Sequence, residues 1–283
     1  MNWTDEGALY SQIGLFLRED MGRGDLTSQA ILARNTRARG RFVAGDTMIV
    51  AGLEAAEEVF LTLDSQQQLE AFVSDGEQVE AGKLIARVVG FADVLLAGER
   101  VALNLIQHLS GVATQTNNFV KAVEGTRAQI VDSREATPGL RMLERYAVTL
   151  GGGSNGRFGL DDGIVITANH AAMSGGLSAA VKTAKERLGH LYKIAVEVSD
   201  QNEVAHAIEN GADNLILANL SVDDASQLIT RARELSEQVS IECSGSSLTV
   251  ETARAFAEAG VDLLSIGTLN CRAPQISFKL SPF

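Results

Sequence analysis

From Gln129 onward, short apolar runs alternate with longer amphipathic stretches, and this rhythm restricts the fold more than any other feature of the chain. Short runs bounded by turn residues read as strands, and the stretches between them read as helices, which together is the pattern of βα units and a parallel sheet. The spacing predicts strands at QIVDS (129–133), GIVIT (163–167), KIAVEV (193–198), NLILA (214–218), VSIECS (239–244) and DLLSIG (262–267). Helices are expected at about 139–150, 176–188, 201–210, 222–236 and 249–259. They are supported by apolar spacing such as Val204, Ala207 and Ile208 and by capping signals such as Ser221 with Asp224. Six parallel strands fit either a barrel or a doubly wound sheet, and in both the chemistry belongs at the strand C-terminal ends.

The first part of the chain has a different texture. An opening helix is expected over residues 7–20, followed by the acid-bearing turn EDMGRGDLTS. Between Arg39 and Val89 lie β-like stretches, RGRFVAGDTMIVAG and KLIARVVG, with a helix near 53–63 and Gly-bearing turns such as DGEQVEAGK. That arrangement is α+β. Residues 91–124 lack proline and carry apolar positions at Leu95, Leu103, Leu105, Ile106, Leu109 and Val112, so one or two helices bridge into the second part. The expected division is an N-terminal domain over 1–115 and a C-terminal domain over 116–283, leaving the extreme C-terminal tail free to return to the first domain.

Composition narrows the function. A formal net charge of −12 argues against nucleic acid or an anionic membrane as partner, since phosphate-rich surfaces are met by clustered Lys and Arg. Cys243 and Cys271 have no CxxC or Cys/His ligand spacing, so neither a zinc site nor a disulfide framework is indicated, and a reducing cytoplasm is the expected setting. The N-terminal residues lack the basic and apolar regions of a signal peptide, and no segment reaches the roughly 18 apolar residues that span a bilayer. Polyanions are therefore poor candidate partners.

Residues just beyond the expected strands form a polar ring: Arg134 and Glu135, Asn169 and His170, Ser199, Asn219, Ser244 to Ser247, then Gly267 and Thr268. The SGSS and SIGT turns offer free backbone N–H groups suited to a phosphate, although tight βα turns use the same residue types without a ligand. Gly-rich GGGSNGRFG (151–159) matches neither the dinucleotide fingerprint nor the P-loop, and it carries one cation, Arg157. With Arg100 and Arg134, Arg157 can supply bidentate guanidinium groups for a carboxylate, whereas singly each arginine reads as a solvated surface residue. Glu197 and Glu242 sit in strand interiors, where a carboxylate needs a cation or a site role; Glu197 is the better acidic candidate. His170 follows a strand and suits either acid–base work or a structural part, while His108, His190 and His206 look incidental. No nucleophile arrangement of the Ser/His/Asp or Cys/His kind is visible, and no set of residues has metal-ligand spacing.

EDMGRGDLTS, ERVALNLIQHLSGVAT, REATPGLRMLERYAVTLGGG and ECSGSSLTVETARAFAEAGVDLLSIG occur in the order found in quinolinate phosphoribosyltransferases, and the chain resembles that family over nearly its whole length. The resemblance implies an α/β protein with an N-terminal α/β sandwich and a C-terminal open, TIM-like α/β barrel of parallel strands. It also implies a homodimer with sites near the subunit interface. It further implies a pentosyltransferase of NAD biosynthesis: quinolinate and phosphoribosyl pyrophosphate (PRPP) give nicotinate mononucleotide, pyrophosphate and CO₂, with Mg²⁺. Arg100, Arg134 and Arg157 match the family's substrate-carboxylate arginines, Arg100 serving the neighbouring subunit. Glu197 matches a carboxylate that handles ribose and metal, and Asn169, His170, Ser244, Gly245 and Gly267 also match, with Ser246 and Thr268 completing the phosphate turns.

The chain departs from the pattern at defined positions. TRKTTPG reads SREATPG, so Glu135 stands where a lysine contacts the pyrophosphate donor. GGGxNHR reads GGGSNGR, leaving Gly156 in place of a substrate-binding histidine, and IKDNH has Thr167 and Ala168 for Lys and Asp. LDN reads Ala218-Asn219 after Leu217, and SGG reads Ser244, Gly245, Ser246. Charge-assisted hydrogen bonds contribute about 1.5–3 kcal/mol each, so losing three costs roughly 5–9 kcal/mol if they add. At about 1.4 kcal/mol per tenfold, that is several orders of magnitude in rate. Two readings stand: a phosphoribosyltransferase, or a family member that binds a small carboxylate or nucleotide without the ordinary reaction. Other chemistry on the same barrel is a third, without any residue to point to it.

Overall fold

The computed structural model describes residues 6–267 and 271–283. The chain divides into two compact units: Met1–Asn117 with Thr137–Gly151 and Asn270–Phe283, and Asn118–Ala136 with Gly152–Leu269. Thr137–Gly151 and the C-terminal strand both count with the first unit.

In chain order the first unit begins with α1 (Glu6–Met21), α2 (Leu26–Ile31), β1 (Arg37–Ala44), β2 (Met48–Ile49), α3 (Leu53–Leu63), β3 (Gln68–Ala71), β4 (Gln78–Val79) and β5 (Leu84–Phe91). One unbroken helix, α4 (Ala92–Ala122), follows and carries the chain past the division between units. Where β1 alternates, Ala38, Phe42 and Ala44 are buried and the arginines at 37, 39 and 41 point away, the period of two expected of a strand with one covered face. Phe42 is fully buried against Phe60 and Phe278, with ring centroids 6.3 and 4.7 Å away. Gly40 is required there, because a Cβ would stand 2.2 Å from the Phe278 ring.

The second unit holds β6 (Gln129–Asp132). After α5 (Arg141–Leu150) in the first unit come β7 (Ile164–Ile166), α6 (Ala168–Met173), α7 (Leu177–Arg187), β8 (Ile194–Glu197), α8 (Gln201–Glu209), β9 (Asn214–Ala218), α9 (Val222–Leu235), β10 (Ser240–Ser244), α10 (Val250–Glu258) and β11 (Leu263–Ile266). The chain ends in β12 (Ile276–Pro282), an antiparallel partner of β1 that pairs Phe278 with Phe42 and completes the four-stranded sheet β12-β1-β5-β3.

All six strands of the second unit run parallel in the order β6-β11-β10-β9-β8-β7. From β7 to β11 each strand lies beside its successor, and the first strand joins the last. A doubly wound sheet instead reverses direction at a switch point, so the order is that of a barrel, left open between β6 and β7 among the described residues. Its two faces differ. Ile194, Val196, Leu215, Leu217, Ile241, Cys243, Leu264 and Ile266 pack into one apolar cluster with the helices. The alternate positions face the other way and read Glu197, Ile216, Glu242 and Leu263 across one row, and Ala218, Ser244, Ser265 and Val131 across the next. No helix among the described residues is long and apolar enough to cross a membrane.

Candidate active site

The last residues of the parallel strands are Asp132, Ile166, Glu197, Ala218, Ser244 and Ile266, and the turns after them carry the polar ring. Backbone geometry explains how two of these turns are held. Asn219 takes a left-handed conformation (φ 58°) directly after β9, and its Oδ1 accepts the Ser246 N–H at 3.2 Å. That oxygen lies 2.3 Å from where a Cβ of Gly245 (φ 117°) would sit, so the SGSS turn needs glycine both for its backbone and for the close approach of Asn219. One amide of the turn is thus already satisfied from within the unit.

Next to β6, Asp132 is 5% exposed and its Oδ1 accepts the Gly156 N–H at 2.9 Å, tying the Gly-rich loop to the strand end. A Cβ at 156 would stand 3.3 and 3.4 Å from the backbone and side-chain oxygens of Asp132, close enough that a side chain there needs Asp132 to give by a few tenths of an ångström. Ser133 is anchored by its N–H to the Ile266 carbonyl at 2.8 Å, and Glu135 N–H donates to Ser133 Oγ at 3.1 Å. Both Arg134 and Glu135 are exposed. Glu135 Oε2 lies 3.6 Å from the Cβ position of Gly267, which brings a carboxylate to the turn that ends β11.

Thr167 and His170 act as a pair. The Thr167 N–H donates to His170 Nδ1 at 3.2 Å and its hydroxyl lies 2.8 Å from the same nitrogen, a capping arrangement at the start of α6. An Nδ1 that accepts leaves the ring proton of a neutral imidazole on Nε2. Arg157 Nε donates to the Gly159 carbonyl, which holds its side chain along the loop.

Within the sheet, Asn214 Nδ2 donates to Glu242 Oε2 at 3.0 Å, and burial pushes the Glu242 carboxyl above its ordinary value, with Asp132 adding to the rise. Asn214 Oδ1 is buried without a partner among the described atoms.

The second unit therefore holds Arg134, Glu135, Thr167, Asn169, His170, Glu197, Ala218, Ser244, Gly245, Ser246 and Gly267 on its strand ends and the turns that follow them, with Gly156 and Arg157 on the loop between α5 and β7. Arg100 belongs to the other unit, on α4, where it pairs with Asp20 at 2.7 Å and remains 70% exposed. Thr268 lies outside the described residues. Sequence reasoning passed over Asp132, although an acid at the end of a strand just before the SREATPG turn was a usable signal. It also passed over the anchoring part of Asn219.

No group of three or more His, Cys, Asp or Glu side chains among the described residues converges in a way that would hold a metal ion. Magnesium in phosphate-handling sites is usually held by one or two carboxylates and the substrate's own phosphates.

Two family profiles account for almost the whole chain: the quinolinate phosphoribosyl transferase N-terminal domain over residues 25–110, and the C-terminal domain over 112–281. The chain belongs to the quinolinate phosphoribosyl transferase family. It is similar to a probable nicotinate-nucleotide pyrophosphorylase (carboxylating) of Bacillus subtilis, 41% identical over 265 residues that cover 94% of this chain and 90% of the relative. The corresponding Synechocystis protein is 36% identical, with coverage of 94% and 89%. Among solved structures, nicotinate-nucleotide pyrophosphorylases from Ehrlichia chaffeensis and Francisella tularensis superpose with TM-scores of 0.90 and 0.89 at 31% and 33% identity. They cover 99% and 98% of this chain and 100% and 98% of their own. As a member of this family the chain has the expected α/β architecture with a TIM-like parallel sheet.

Proposed function

We propose that this family member acts as a nicotinate-nucleotide pyrophosphorylase of NAD biosynthesis, moving the phosphoribosyl group of PRPP onto quinolinate with release of pyrophosphate and CO₂. The observation that carries the reading is the polar ring on the strand ends of the parallel sheet, in a chain 41% identical to a relative bearing that name. In this reading Arg134 and Arg157 bind substrate carboxylates in bidentate fashion. Asn169 and the Nε2 side of His170 contact the acceptor, Glu197 takes the ribose hydroxyls, and Ser244, Gly245, Ser246, Gly267 and Thr268 receive phosphate oxygens. Mg²⁺, arriving with the PRPP diphosphate, would neutralise its charge beside Glu197. The protein works as a homodimer in the cytoplasm; the exposure of Arg100 supports its service to a neighbouring subunit, and the free thiols of Cys243 and Cys271 suit a reducing setting.

A second reading, binding without turnover, is favoured by one feature: the Glu135 carboxylate beside Gly267. A carboxylate at that turn opposes a bound anion by like-charge repulsion, by about 1 kcal/mol at an exposed position.

The test is an assay of the purified chain with quinolinate, PRPP and Mg²⁺, following nicotinate mononucleotide. Product with stoichiometric pyrophosphate is the expected result. Saturable quinolinate binding with no product, and turnover in a Glu135→Lys, Gly156→His, Thr167→Lys, Ala218→Asp variant, would replace the transferase reading with the second one.

A further inference from the structure

One face of the antiparallel sheet in the first unit stays outside the core, with Arg37, Arg39 and Arg41 all exposed on it. Strand register sets the side chains of this face in rows. Arg41 lies between Arg87 and Lys279, with Glu70 beyond Arg87; Arg39 lies between Val89 and Ser281, with Gln68 beyond Val89; Arg37 lies beside Phe91. Phe283 joins the last row, its N–H donating to the Arg37 carbonyl at 3.1 Å. Among these positions Glu70 is the one acid, and it is bonded to Arg87. Like charges directly opposite one another on a sheet cost stability, so packing does not explain Arg41 between two cations. Edge protection does not explain it either. Charged side chains guard edge strands against pairing, but the order β12-β1-β5-β3 makes β1 and β5 interior strands.

Aromatic rings are set among these cations. Phe283 and Phe72 are 65% and 41% exposed, a poor use of apolar surface unless something covers it. The Arg39 and Arg37 guanidinium carbons stand 4.2 and 5.7 Å from the Phe283 centroid, Arg37 also stands 5.5 Å from Phe91, and Arg87 stands 5.4 Å from Phe72. Phenyl rings and guanidinium planes are both platforms on which a nucleobase stacks, and arginines also meet the phosphates between bases. An acidic polypeptide would use the charges and leave the rings without a partner.

We propose that the outer face of the β12-β1-β5-β3 sheet binds a single strand of nucleic acid, with bases stacked on Phe283 and Phe72 and phosphates on Arg37, Arg39, Arg41 and Lys279. The diagonal from Phe283 to Phe72 crosses all four strands, so several nucleotides are needed to span it. The chain-wide charge of −12 makes polyanions poor partners for the molecule as a whole, and this face is the exception. At physiological ionic strength charges are screened over about 8 Å, so a strand lying here responds to the arginines it touches more than to acids elsewhere. Every residue involved belongs to the first unit, and the inference does not depend on the transferase reading.

Fluorescence anisotropy of a labelled oligoadenylate with the full chain tests it. Saturable binding that weakens with added salt is expected. Replacing Arg37, Arg39 and Arg41 together by Gln lowers affinity at low salt about tenfold or more and reduces the slope of log affinity against log salt by about 2. Phe283→Ala lowers affinity about tenfold with the slope unchanged, because stacking and not charge is lost. No binding by the natural chain at low salt overturns the proposal. Equal affinity for the oligoadenylate paired in a duplex, or for polyglutamate, also overturns it, since either shows a charged surface without base stacking. Undiminished affinity in both variants places the strand elsewhere and overturns it too. If the triple variant does not fold, an NMR titration of the natural chain with the same oligoadenylate keeps the test: amide shifts clustered at 37–41, 87–91 and 279–283 are expected, and shifts confined to the second unit overturn the assignment.

Discussion

The two sheets spend their polar residues differently. In the first unit, β1 turns its arginines outward, where Arg39 stacks 4.2 Å above the Phe283 ring, and turns Phe42 into a continuous apolar core. In the second, the parallel sheet gives one face to the helices and sends Glu197, Glu242, Ser244 and Ser265 to the other, where Glu242 is largely buried. Buried carboxylates cost stability unless fully partnered. The covered face of the first sheet is thus organised for packing, and the second tolerates groups that packing alone would exclude, the arrangement expected where a ligand is to be met.

The largest expected effect breaks the first sheet. Phe42→Ala removes a ring packed on both Phe60 and Phe278 and should cost about 3–5 kcal/mol, read from chemical denaturation. A loss under about 1 kcal/mol would mean that β1 is not the centre of that core. Next, Glu135→Lys on the second unit should tighten pyrophosphate binding about tenfold with little change in denaturation midpoint, because it replaces repulsion by attraction at an exposed position. Calorimetry with pyrophosphate reads it, and unchanged affinity would place the anion away from Gly267.

The smallest effect sharpens the contrast through pH. Burial raises Glu242 above the value of 4.5 it has when unfolded, so its contribution to stability is present below about pH 4.5 and is lost as pH rises through the folded value. Glu242→Gln removes that loss. The variant should gain on the natural chain as pH rises from acid toward neutral, and a gap that stays constant with pH would show that Glu242 titrates normally.

Much of this was legible beforehand. The six parallel strands fall within a residue or so of the runs read from the sequence, and α3 coincides with the expected helix at 53–63, because both elements announce themselves by apolar period. The expected bridge over 91–124 is one helix, α4. What escaped was short or externally supported: α2 has six residues and begins at an Asp25 cap, α6 has six residues held by Thr167 and His170, and β12 exists through its pairing with β1. None carries enough periodicity to be seen alone.

By itself the sequence determined the strand and helix register of the second unit, its family, and the identities of the groups on the strand ends. These are local properties: apolar period, turn chemistry and motif order are written within a few residues of where they act. Only tertiary structure chose the barrel order over a doubly wound sheet, counted Thr137–Gly151 with the first unit, set Glu135 beside Gly267, and joined His108 to Glu144 across 36 positions. Each of those outcomes depends on which distant segments share a surface, and pairing between distant segments leaves no period in the chain to read.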